Sequence, residues 1–262
     1  MLCRPALRLA MTSGVAYRLT GMAYASVNGL QLYYEAHGSG RPLVLLHGGL
    51  MTIDLNFGSL LEPLAAGRQV IAVEFQCHGH TADTGRLMTI EALAGDVVAL
   101  LDQLRIAEAD LFGFSLGGLV AYAVALSAPA RVGKLIVASA DAHRPPGRES
   151  ATPGDDRLPT LADFQAMRDA YEAVAPDPAR FGEPAAKTSA LVHEFPGWTG
   201  ELRSLQAPTL LIFGDRDFLT VGRRGGVARP PAGRAARRAP RDDARGRDTA
   251  ARRSARVDHA VP

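Results

Sequence analysis

One junction constrains this chain more than any other: Ala109–Phe114 is a short, mostly apolar run that ends directly on Ser115, and Gly117–Ser127 follows as a helical pattern with no linker between. The junction reads Gly113-Phe114-Ser115-Leu116-Gly117. A strand that passes into a helix within one residue must turn so sharply that side chains two positions either side would collide, which calls for glycine at both. The same turn aims the helix N-terminus, with its unsatisfied N–H groups and positive dipole end, at whatever stands over Ser115. A glycine-rich turn with a bystander serine has the same composition. Its position between strand and helix makes Ser115 a candidate nucleophile and the backbone N–H of Leu116 a candidate donor to a developing oxyanion.

The flanking pattern alternates strands and helices. Ala25–Val27 and Leu30–Glu35 bracket Asn28-Gly29, a two-residue hairpin signal. Pro42–Leu46 is a continuous apolar run that meets His47-Gly48-Gly49, and Val70–Glu74 is a second buried strand. Thr89 is placed to cap a helix in which Ile90, Leu93, Val97, Leu100, Leu101 and Leu104 recur at helical spacing. Lys134–Ser139 and Thr209–Phe213 complete the strands, and this order predicts an α/β fold with a doubly wound, mostly parallel sheet. Between the last two strands, residues 143–205 are too many for a plain loop. Helical patterns at Leu161–Val174 and around Ala185–His193 make this stretch a small helical lid. The domain plan is an extension over 1–21, a core over 22–221 that includes the lid, and a tail over 222–262.

Charge separates these parts. The net +2 is an average: residues 222–262 carry twelve Arg against four Asp, residues 1–21 carry three Arg and no acid, and the middle is acidic. Two distant cysteines, Cys3 and Cys77, do not make a disulfide framework, so a reducing cytoplasm is expected. Residues 1–21 are Arg-bearing like a transit peptide, but Arg18 breaks any secretory apolar core, and an untargeted extension is expected. No apolar run approaches the roughly 18–20 residues that span a bilayer, so no membrane association is expected.

Over residues 24–221 the chain resembles the α/β-hydrolase superfamily, in its esterase/haloperoxidase-like branch with a small cap. Gly113-Phe114-Ser115-Leu116-Gly117 is similar to the family's nucleophile elbow. His47-Gly48-Gly49 resembles the turn whose backbone supplies a second oxyanion donor, here Gly49 with Leu50 as the alternative. By this resemblance His47 is a structural turn histidine. Glu74–Thr81 (EFQCHGHT) resembles a loop written around Gly-His-Gly, with Cys77 standing where the closest relatives have glycine. His78 and His80 lack the acidic or cysteine cluster that a metal pair would need, so no metal and no cofactor are expected. The resemblance implies a small apolar ester-like substrate and an acyl-enzyme on Ser115.

A serine nucleophile needs a histidine to take its proton and a carboxylate to hold that histidine. Phe213-Gly214-Asp215-Arg216-Asp217 resembles the family's acid loop, which points to Asp217; Asp215 and Asp141 are the alternatives. The histidine should follow some 25–30 residues later, yet from Gly222 the chain has no Leu, Ile, Met or aromatic with which to build a helix or strand. A basic tail for nucleic acid is the bland explanation, and no nucleic-acid partner is expected. Reading out of frame fits better. Shifted one nucleotide forward, the codons over Pro230–Gly233 become compatible with Leu-Leu-Pro-Gly, and those over Ala239–Ala244 with Leu-Pro-Gly-Thr-Thr-His. The second string resembles the family's histidine segment and lies 27 residues after Asp217. A frameshift near residues 220–222 would leave Ser115 and Asp217 without their base. His259, 42 residues after Asp217, is a poor substitute, and His143 and His193 fall in the lid. The alternative expectation is a catalytically dead pseudo-hydrolase or small-ligand-binding scaffold with a disordered tail.

Overall fold

The computed structural model describes residues 21–142, 157–198, 200–214, 217 and the backbone of 237–238. Strands β1 (Gly21–Val27) and β2 (Leu30–His37) form the expected hairpin around Asn28, which adopts φ 48°, and Gly29. Strand β3 (Arg41–Leu46) leads through the His47–Thr52 turn into helix α1 (Ile53–Ala65), and β4 (Arg68–Val73) follows. Helix α2 (Ile90–Gln103) starts where Thr89 accepts from the Ala92 N–H, and then come β5 (Ala109–Phe114) and α3 (Leu116–Ser127). After β6 (Val132–Ala138) the chain makes the helical insert, α4 (Leu161–Val174) and α5 (Gly182–Glu194), and returns as β7 (Thr209–Phe213).

With a two-residue β8 (Arg237–Arg238), the eight described strands form one sheet in the order β1-β2-β4-β3-β5-β6-β7-β8, parallel from β4 to β8 and antiparallel where the hairpin joins. The apolar runs are continuous because both faces are covered. Val44 and Leu46 of β3 and Ile71 and Val73 of β4 enter the large core under α2 and α3. The alternating Leu43, Leu45, Val70 and Ala72 enter a smaller core with Ile53 and Phe57 of α1.

Two features differ from the sequence reading. Helix α1 has no counterpart in it: Gly58 and Pro63 interrupt the pattern, and only Ile53 and Phe57 are buried. The tail, read as unable to form a strand, contributes β8 (Arg237–Arg238), paired with Ile212 and Phe213. A two-residue ladder uses backbone N–H and C=O groups, so it does not need apolar side chains. The rest of the tail, the 1–20 segment and residues 143–156 of the lid lie outside the described residues, as do Asp215, His143 and His259.

Candidate functional site

The parallel strands bring their carboxyl ends to one edge of the sheet. Ser115 follows β5, the Gly48–Met51 turn follows β3, Asp141 follows β6 and Asp217 follows β7. Ser115 N–H donates to the Ala138 carbonyl (2.8 Å) and Ser139 N–H to that of Ile212 (2.9 Å), so three of these loops leave the sheet in step.

Ser115 sits at φ 51°, ψ −115°, a conformation that costs a non-glycine residue about 1–3 kcal/mol. It heads α3, and its carbonyl accepts from the N–H groups of Gly118 (2.9 Å) and Leu119 (3.2 Å). The crowding expected around it is present. A Cβ on Gly113 would overlap the Gly117 carbonyl, and one on Gly117 would overlap that of Leu46 and stand 2.7 Å from the His47 oxygen. Those contacts press the start of α3 against the end of β3 and so place Leu116 beside the Gly49 turn. In that turn Met51 N–H donates to Gly48 O (3.3 Å), Leu50 takes φ 64°, and Asn56 Oδ1 accepts from Gly48 N–H (2.8 Å).

Asp217 is half-buried with Oδ2 shielded from solvent, and its N–H donates to the Gly214 carbonyl (3.3 Å). Strand spacing puts loops that follow strands two apart in the sheet, such as those of Ser115 and Asp217, about 10 Å apart. Asp141 lies on the intervening strand end and is also half-buried. His193, in the last turn of α5, is exposed.

His47 is held inside the fold. Its Nδ1 donates to Gly48 O (2.7 Å) and its Nε2 accepts from Phe75 N–H (3.1 Å), so both ring nitrogens hold the turn. Burial pushes its pKa down against the Gly48 bond and the Glu74 charge. His78 donates from Nδ1 to Gln76 O (2.9 Å) and meets Thr188 Oγ1 at 3.4 Å; burial, then the neighbouring His47, brings its pKa down to about 3. Burial of Glu74 is outweighed by hydrogen bonds from the His80 ring, Ile53 N–H and His80 N–H, which hold its carboxyl below the ordinary range. Cys77 adopts φ 66°, a left-handed conformation that favours glycine, the residue the resemblance implies there.

These shifts share one sign. An unfolded histidine takes its proton near pH 6.5 and folded His78 only near 3, so between those values the unfolded state binds more protons. Stability is complete above that window and is lost as the pH falls through it, at up to about 1.4 kcal/mol per pH unit for one such group. His78→Asn is expected to remove about one proton from the slope of unfolding free energy against pH between about 6 and 4. Urea titrations across that range check this, and an unchanged slope would exclude His78 as a source.

Among the described residues, one acid–thiol group gathers ligand atoms within 4.8 Å of each other: Cys77, Asp83 and Glu183. Glu183 arrives from the insert, so no ligand spacing in the sequence announces this group, and neither His78 nor His80 belongs to it. Both carboxylates are ion-paired, Asp83 with Lys187 (2.5 Å) and Glu183 with Arg180 (2.6 Å).

A sheet of this order with a strained serine between strand and helix defines an α/β-hydrolase architecture. The family model for the alpha/beta hydrolase fold matches residues 41–198, and the chain belongs to that family. It is 44% identical over 120 residues to the dihydrolipoyllysine-residue acetyltransferase component of the acetoin cleaving system of Pseudomonas putida, covering 44% of this chain and 32% of that one. It is 32% identical over 119 residues to pyrrolizixenacetamide deacetylase of Xenorhabdus hominickii, covering 45% of each. The chain thus spans less than half the length of these curated relatives. A solved hydrolase of Pseudomonas aeruginosa shares the fold at a TM-score of 0.57 and 24% identity, over 74% of this chain and 80% of that one. Among the described residues, no helix is long and apolar enough to cross a membrane.

Proposed function

We propose that the chain is an esterase-type hydrolase scaffold acting on esters or related acyl compounds of small apolar molecules through Ser115. The strained backbone of Ser115 at the head of α3 carries this reading, because a cost of about 1–3 kcal/mol persists where geometry serves a function. The names of the two curated relatives, an acetyltransferase and a deacetylase, both describe acyl chemistry and support it. In this reading Ser115 Oγ attacks the carbonyl carbon, and the N–H groups of Leu116 and Gly49, with Leu50 as the alternative to Gly49, hold the oxyanion. Collapse expels the alcohol and leaves an acyl-serine that water then hydrolyses. Asp217 orients the histidine that would accept the serine proton, with Asp141 or Asp215 as alternative acids.

A second reading is a pseudo-hydrolase. It is favoured by the sequence after Asp217, where His259 is the single histidine. A fluorophosphonate probe separates the two. The first reading expects a covalent adduct on the peptide carrying Ser115, formed slowly without a base and abolished in Ser115→Ala. Lack of any adduct, or one that survives Ser115→Ala, would sink the nucleophile assignment.

A further inference from the structure

We propose that Lys187 and Thr188 of α5 are positioning residues for the Gly48–Met51 turn; their catalytic meaning rests on the reading of Gly49 as an oxyanion donor. Thr188 is buried and lies directly on that turn, where a Cβ added to Gly49 would stand 2.6 Å from its Cγ2. Its hydroxyl faces His78 Nε2 at 3.4 Å. Two further residues of the turn, Leu50 and Met51, pack against the insert's own small core of Met167, Tyr171, Ala175 and Phe181. Leu50 at φ 64° is thus held in the left-handed region under a helical roof.

Lys187 holds that roof in register. Its ammonium pairs with Asp83 Oδ2 (2.5 Å), and Asp83 Oδ1 accepts from the fully buried Gln76 (2.8 Å). Gln76 is braced in turn by Arg86 Nε (3.0 Å), and Arg86 is forked onto the buried Asp96. Lys187 therefore grips a rigid part of the core. Adjacent helical residues point about 100° apart, so one grip on Lys187 stops α5 from rolling about its axis and keeps Thr188 over Gly49. Without the grip α5 can turn, Thr188 leaves the turn, and Gly49 loses the side chain that covers it.

Hydrogen–deuterium exchange on the full chain tests this. Lys187→Met is expected to speed exchange of the α5 amides and of residues 48–52 by about tenfold or more, while α2 and α3 keep their rates and Lys187→Arg restores protection. Unchanged α5 exchange, or an equal rise in α2 and α3, would overturn the proposal. A size swap gives an independent reading. Gly49→Ala should loosen α5, and adding Thr188→Ala should restore it, because the nearest remaining atom, Thr188 Cβ, is 3.8 Å from the new methyl. If the double variant stays as loose as Gly49→Ala, the seam is misassigned. Labelling of Ser115 keeps the two readings apart. A native chain that never labels counts against the nucleophile alone, whereas one that labels and shows no α5 response in Lys187→Met counts against the positioning role alone.

Discussion

On the proposal that the reading frame slips near codon 221 and removes the catalytic histidine, restoring the frame is expected to raise p-nitrophenyl acetate hydrolysis by at least ~10³-fold over the chain as it stands, since a serine triad without its histidine loses on the order of 10⁶ in kcat. The shifted codons over Ala239–Ala244 are compatible with Leu-Pro-Gly-Thr-Thr-His, and the last falls 27 residues beyond Asp217. Strand β7 is flanked on its outer side only by the two-residue β8 among the described residues, is half-buried along its length, and carries Asp217 just past its end. A restored apolar helix and strand would cover that side and bring the imidazole into the space of about 10 Å between the Asp217 and Ser115 loops. The gain must vanish in Ser115→Ala and shrink strongly in Asp217→Asn of the restored chain. A rise below tenfold, or one indifferent to Ser115→Ala, would refute the assignment. The nucleotide sequence across codons 215–245 provides the simplest check.

Gly117→Ala is expected to unfold the chain or to lower its stability by more than about 4 kcal/mol, a large share of the roughly 5–15 kcal/mol that holds a domain together. Its Cβ would overlap the Leu46 carbonyl and stand 2.7 Å from that of His47. All of these neighbours are backbone, of β3 and of the turn that follows, so no rotamer change relieves the overlap. The start of α3 would have to lift from the sheet, exposing Leu116 and Val120 of the large core. Ser115→Gly supplies the contrast. It removes the Cβ from the strained φ 51° position and should stabilise the fold by about 1 kcal/mol while abolishing any adduct. Urea unfolding of both variants decides the matter. A Gly117→Ala chain within about 1 kcal/mol of the native one would mean that the elbow is looser than these contacts require.

Local chemistry was legible wherever it was strong. Leu161–Val174 could be bounded from its spacing, and Thr160 and Asp163 indeed make reciprocal capping bonds at its start. The apolar runs of β3 and β7 announced strands in a covered sheet, and Gly113 and Gly117 announced the crowding at Ser115. Helix α1 stayed hidden because its buried face is two residues wide and Gly58 and Pro63 blur the rest.

By itself, then, the sequence determined the alternation of strands and helices and the glycine-flanked turn at Ser115. Each depends on sterics or periodicity within a few residues of chain. Only the tertiary structure decided what rests on the elbow's neighbours. Lys187 meets Asp83 across 104 residues, Thr188 meets His78 across 110, and Leu50 is partly covered by a helix more than a hundred positions later. Such contacts have no period to read, because they exist only once the sheet has brought β3, β4 and the insert to the same edge.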